Sequence, residues 1–190
     1  MTMEIKGSAV KSIPDYIRKF HPDKFAAWME SLPDKSKQIF AGGVLPSNWY
    51  SLQDAAIIPT EALGNLIFDD PVKGAWQCGR YSAETALTGI YKFFIKAASP
   101  FFIIDRAGKI FTTYYQPSAM EVVEKRDDYV VLHITRFDEP SSLIEGRIAG
   151  WIERAMEIHG VGYVTVTINK SLTKGDPVTE ILVRWGLSGK

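Results

Sequence analysis

The chain has a single cysteine, Cys78, and three histidines among its 190 residues. One cysteine excludes an intrachain disulfide and any cysteine-rich metal site. His21, His133 and His159 share no spacing that would set two of them on one helical turn, so the sequence shows no metal set. Charge of one sign is lacking too. The 22 Lys and Arg balance the 22 Asp and Glu, which argues against nucleic acid or an anionic membrane surface as partner, because both select a basic excess. Long apolar runs are missing. The stretch Phe101-Phe102-Ile103-Ile104 is far too short to cross a bilayer, and no apolar segment follows Met1-Thr2-Met3-Glu4-Ile5-Lys6. A cytoplasmic chain with no membrane span and no signal peptide is expected.

Nucleotide loops are absent as well. Gly108-Lys109 is followed by Ile110, and Ile103 stands where a phosphate loop needs its first glycine. Gly160-Val161-Gly162 starts like a dinucleotide fingerprint, but Thr165 and a strand pattern follow where a glycine and a helix are required. Asp69-Asp70 and Asp127-Asp128 read as turn chemistry, not as a general acid and base. Cys78, in Trp76-Gln77-Cys78-Gly79-Arg80-Tyr81-Ser82, has no histidine near it in sequence. It reads as a small core residue, with a modified or reactive thiol as the alternative. No catalytic residue is assigned and no metal is expected. A non-enzymatic protein follows, with a cysteine-dependent enzyme as the competing reading.

What the chain does hold is enough apolar residue, 46%, to build the core of one domain over residues 1–190. Its front, 1–45, is a set of brief helices punctuated by Pro14, Pro22, Pro33 and Gly42-Gly43. Helical spacing returns from Thr60 to Ala98, broken at Asp69-Asp70-Pro71, and Ser99 can cap a further helix. After Pro117 the period changes to two, through Met120 to Glu124 and Tyr129 to Thr135, which predicts a hairpin. Ser142 and Glu145 fit a capping box at the head of a helix that carries Ile144, Ile148, Trp151, Ile152 and Ala155 on one face and stops at Gly160. Alternating strands follow from Tyr163 to Lys170 and from Val178 to Trp185. The fold class is therefore α+β, with N-terminal helices packed on an antiparallel sheet and a C-terminal strand-strand-helix-strand-strand unit.

The densest chemical signal is aromatic. Tyr91, Phe93, Phe94, Phe101, Phe102, Phe111, Tyr114 and Tyr115 crowd one stretch. They form core, line a pocket for a flat or greasy ligand, or cover a dimer interface. The candidate ligand-binding residues are Tyr91, Phe94, Phe102, Phe111, Tyr114, Tyr115, His133 and Trp151, with Cys78 as a possible modified thiol. His133 enters because its strand face could line a cavity, where it would donate to a ligand or to haem iron.

The helix with Gly150-Trp151, the stretch Gly160 to Thr167, then Lys174-Gly175-Asp176 and Val183-Arg184-Trp185 resemble the vinyl-reductase-type small-ligand domain. That domain's superfamily includes the haem nitric-oxide-binding domains and the Golgi-transport (TRAPP) subunits. Asn48-Trp49-Tyr50, Gly79-Arg80 and the apolar helix from Thr85 to Ile95 support the resemblance, and the stand-alone bacterial proteins of similar length, common in myxobacteria, are the most similar in form. It implies a sensory domain for a small hydrophobic molecule in bacterial signalling. A dimerising interaction or scaffold module with a filled pocket is the alternative, and a homodimer is expected in either case. Gly146 and Gly150, four apart, would permit close helix approach. Departures from the family limit what is carried over. Ser171 and Val178 stand where many relatives have cysteines, and the Tyr-x-Ser-x-Arg signature of the haem-binding branch is absent. No cofactor is therefore expected, haem included.

Overall fold

A computed structural model describes residues 2–87 and 99–186. The chain opens with strand β1 (Glu4–Lys6) and passes into short helices α1 (Gly7–Val10), α2 (Ser12–Phe20), α3 (Phe25–Ser31) and α4 (Asp34–Ala41). Proline and glycine punctuation sets their limits, as the sequence implies. Strand β2 (Trp49–Ser51) and helix α5 (Ile58–Phe68) follow. Asp69, at φ 54°, then turns the chain into α6, which starts at Pro71 and is described to Leu87. Helix α7 (Pro100–Tyr114) begins on Ser99, whose hydroxyl accepts the Phe102 amide at 3.2 Å. The predicted cap is thus in place.

Strand β3 (Tyr115–Gln116) joins β1 and β2 in an antiparallel sheet of order β2-β1-β3, with Ile5 opposite both Tyr50 and Tyr115. Strands β4 (Ser118–Arg126) and β5 (Tyr129–Phe137) form the expected hairpin, turning on Asp127-Asp128. Helix α8 (Ser142–His159) leads to β6 (Val164–Lys170) and β7 (Thr179–Trp185), and the second antiparallel sheet runs β4-β5-β7-β6. The architecture is α+β, as the segregation of helical and strand patterns predicts. Val130, Leu132 and Ile134 on β5 and Ile181, Val183 and Trp185 on β7 are buried and face the helices.

Helix α8 lies between α6 and this sheet and is buried on nearly every side. That placement demands small residues where two backbones meet. A methyl added at Gly79 of α6 would sit 2.0 Å from the Arg147 carbonyl oxygen, and one at Gly150 of α8 would sit 2.3 Å from that of Trp76. Of the Gly146–Gly150 pair, Gly150 serves helix approach inside the chain, whereas a methyl on Gly146 would make ordinary contact with Val72 and Ala75 at 3.5–3.6 Å. Along the outer edge of the α6–α8 contact, Arg80 pairs with Glu153 and with Glu157 (2.8 Å), and Trp76 Nε1 donates to Glu153 at 2.9 Å. Arg154 bridges Glu84 and Glu157 at 2.9 and 2.8 Å.

The head of α8 differs from the capping box that the sequence predicts. Ser141 is the boundary residue, and it makes no side-chain cap bond. Glu145 is buried and turns instead toward the loop between β6 and β7. There its carboxylate accepts from the Ser171 hydroxyl (2.9 and 2.7 Å to its two oxygens) and from Thr179 Oγ1. Those hydroxyls replace the backbone amide because the hairpin folds over the helix start, a contact that no local spacing reveals.

Candidate ligand cavity

Where α6, α7 and α8 converge near the small sheet, the described residues line a partly open free volume of about 40 Å³. The walls are mainly apolar: Ile110 and Phe111 of α7, Met120 of β4, and Ile148, Trp151 and Ile152 of α8. Gly79 and Ser82 of α6 and Ala9 of α1 complete the lining, with Tyr114, Tyr115 and Arg147 supplying polar atoms. Phe111, Tyr115 and Phe137 form an aromatic cluster with ring centroids 5.4–6.0 Å apart, which fixes one wall.

Four of the sequence-predicted site residues, Phe111, Tyr114, Tyr115 and Trp151, are brought together here. Two others are placed elsewhere, and both assignments are corrected. Phe102 is 54% exposed, because its helical position points it away from the sheet. His133 lies on the outer face of β5, opposite Glu180 of β7, and its Nε2 is 3.0 Å from Glu180 Oε2. Strand alternation puts Leu132 and Ile134 inward and His133 outward. Tyr91 and Phe94 lie outside the described residues.

Burial sets the electrostatics of this region. The Cys78 thiol, fully buried, is pushed up to about 11 by desolvation, with the nearby Arg147 charge acting in the opposite direction. It is protonated at neutral pH, which removes the thiolate that nucleophilic chemistry needs. Burial likewise raises Tyr115, again opposed by Arg147, and it raises Tyr114, with Tyr115 adding to the effect. Both phenols therefore offer neutral hydroxyls. Tyr16, packed close to Cys78, is pushed up to about 12, mainly by desolvation.

The residue that sequence reasoning missed is Arg147, which is only 3% exposed. Its Nη1 donates to Thr60 Oγ1 at 3.2 Å, and its Nη2 donates to the Ala9 carbonyl at 3.0 Å and to Ser12 Oγ at 3.2 Å. All three acceptors are neutral. Among the described residues no carboxylate pairs with this guanidinium. A signal for it was available, since Arg147 lies three residues after Ile144 and four before Trp151, on the apolar stripe itself.

No protein-family model and no curated protein matches this sequence. Solved structures do resemble it. An unliganded Fe(II) H-NOX protein from K. algicida superimposes with a TM-score of 0.70 at 10% identity, covering 98% of this chain and 99% of that one. An H-NOX protein from S. oneidensis in its Fe(II)NO ligation state gives 0.64 at 7% identity over 95% and 99% of the two chains. A mutant H-NOX from T. tengcongensis gives 0.63 at 11% identity over 97% and 98%. At such identities the likeness establishes the fold. It falls on the haem nitric-oxide-binding part of the resemblance and gives no support to the vinyl-reductase or Golgi-transport parts.

This likeness corrects the expectation that no cofactor is involved. Two of these neighbours are described by the ligation state of their iron, and a further solved structure on this fold by its haem redox potential, so the neighbours point to haem. The residues described here do not fit a haem in this cavity. Its 40 Å³ compares with roughly 300–1,000 Å³ for sites that enclose ligands of drug size. No histidine lines it, and residues 88–98 contain neither histidine nor cysteine. Among the described residues no group of three or more His, Cys, Asp or Glu could hold a metal ion, and no helix is long and apolar enough to cross a membrane.

Proposed function

We propose that this chain is a sensory domain on the H-NOX fold that binds a small ligand in the cavity between α6, α7 and α8. The observation that carries the reading is the cavity itself: apolar walls with a few convergent polar groups, in the core where the helices meet the sheet. Such a composition suits ligand recognition. The free volume of about 40 Å³ holds about three water-sized molecules, hence a ligand of roughly three to five non-hydrogen atoms. The H-NOX protein of S. oneidensis carries NO in its named state, and a diatomic gas is within this size.

Binding is non-enzymatic in this account. The buried thiol of Cys78 is protonated at neutral pH and does not line the cavity. A signal would arise mechanically. Helices α6 and α8 touch backbone to backbone at Gly79 and Gly150, so a ligand that outgrew the space beside Gly79 and Trp151 would move one helix against the other. We place the domain in bacterial signalling, in the cytoplasm, as one unit over residues 1–190.

Thermal unfolding with graded carbon monoxide, nitric oxide, acetate and nitrite tests this reading. A ligand that binds the folded chain raises Tm in proportion to ln(1 + [L]/Kd), and at least one of these probes should do so saturably. No rise with any of them contradicts the proposal. A parallel arm with haemin decides whether a gas is held directly or through haem, read as a Soret band with one haem per chain.

A further inference from the structure

The polar groups in the cavity are donors without a matching charge. Arg147 and Trp151 stand one turn apart on α8, both line the cavity, and both are at least nine-tenths buried. Arg147 Nε and Trp151 Nε1 each have no hydrogen-bond partner. Buried polar groups almost always find partners, so two orphaned N–H groups on neighbouring side chains that line one cavity point to a ligand that accepts from both. The buried guanidinium adds the demand for negative charge, since an isolated charge in the interior is costly unless it is paired.

The described residues supply no counter-ion. Glu145, two residues before Arg147, projects to another side of the helix, and the hydroxyls of Ser171 and Thr179 hold its carboxylate. Residues 88–98 contain no Asp or Glu. The phenols of Tyr114 and Tyr115, raised by burial, remain neutral; Tyr115 is hydrogen-bonded with Arg147, and Tyr114 offers a further hydroxyl.

The geometry points to a small oxyanion as the ligand: a short carboxylate, or nitrite, accepting from Arg147 Nε–H and Trp151 Nε1–H with its body against Ile148 and Ile152. This rests on the small-ligand reading and narrows it to a chemical class. Size favours a free anion over the carboxylate arm of a larger molecule.

Nitrogen-15 NMR of the full chain tests the inference through the Arg147 Nε–H and Trp151 indole signals. Acetate or nitrite should shift both saturably, acetamide should not, and hexanoate should be excluded. Trp151→Phe keeps the ring and removes the donor, and it should weaken acetate binding about tenfold or more, since a hydrogen bond to a charged partner contributes about 1.5–3 kcal/mol. Arg147→Met should abolish binding, and Trp151→Phe keeps the test open if that variant does not fold. If acetamide or carbon monoxide binds while the anions do not, the anion inference fails and the small-ligand reading stands. If no probe binds, both fail. Tight hexanoate binding would overturn the free small anion in favour of a larger carboxylate. Equal acetate affinity in Trp151→Phe would remove the two-donor site.

Discussion

Gly79→Ala is the perturbation whose size follows most directly from the packing of α6 against α8. The added methyl carbon would stand 2.0 Å from the Arg147 carbonyl oxygen and 2.8 Å from the carbonyl carbon, both backbone atoms that no rotamer change can move. Restoring ordinary contact at 3.4 Å requires the helices to part by about 1.4 Å at that point. A gap of about 0.5–1 Å forfeits a quarter to a half of each dispersion contact it opens, and overpacking typically costs about 1–3 kcal/mol or more. Helix propensity acts the other way, because alanine is favoured over glycine by about 1 kcal/mol. The clash wins, and a net loss of about 1–2 kcal/mol is expected. The control is Gly108→Ala in α7, where nothing lies within 4 Å of the added carbon. It should gain up to about 1 kcal/mol from propensity alone. Urea unfolding followed by far-UV circular dichroism reads both, and at unchanged m the first variant should lose about 0.5–1 M in midpoint. Equal stability of Gly79→Ala and the parent would refute the close packing of these helices.

Ser171→Ala removes one of the two hydroxyls that donate to the buried Glu145 carboxylate. A loss of about 1.5–3 kcal/mol by chemical denaturation is expected, whereas a neutral result would mean that the carboxylate finds other partners. Cys78 should resist a thiol reagent at pH 8 in the folded chain and react once urea unfolds it. Its thiol and the Tyr16 phenol are both raised in the folded state, to about 11 and about 12 from 9.0 and 10.0. Their contribution is therefore complete below pH 9 and lost as pH climbs through 11 to 12, so thermal stability should fall steeply in that window. Glu180 is lowered to about 2, first by hydrogen bonding from Lys170 and then from His133. Its contribution is present above pH 4.5 and lost as pH falls toward 2. Solvent screening keeps it to about 1 kcal/mol or less, so Glu180→Gln should differ from the parent at pH 7 and match it at pH 2.

The regular elements were legible because their signals are local. Ser99 at the head of α7, the Asp69-Asp70-Pro71 break, the hairpin around Asp127-Asp128 and the stop at Gly160 each follow from dihedral preference or capping within a few residues. The site was half legible. Aromatic spacing flagged Phe111, Tyr114, Tyr115 and Trp151, but spacing alone could not separate inward Phe111 from outward Phe102 on the same helix. The illegible part is long-range. Glu145 reads as a cap until β6 and β7 lay Ser171 and Thr179 against it, and the hydrogen-bond partners of Arg147 come from α1, α2 and α5, far from it in sequence. The cofactor was misjudged for a different reason. The missing Tyr-x-Ser-x-Arg signature argued against haem, while the backbone course follows the H-NOX fold at identities of 7–11%: a motif speaks for a site, and a backbone course for a fold.

The central claim is that the cavity between α6, α7 and α8 takes a small ligand. Carbon-13 methyl NMR tests it most directly, because Ile110, Ile148 and Ile152 bring labelled methyls from two helices to its walls. Titration with acetate, nitrite or carbon monoxide should move all three residues and the Trp151 indole along one saturating curve. Shifts confined to the outer sheet face, at Val131 and Leu182, or no saturable shift at any concentration, would contradict the account.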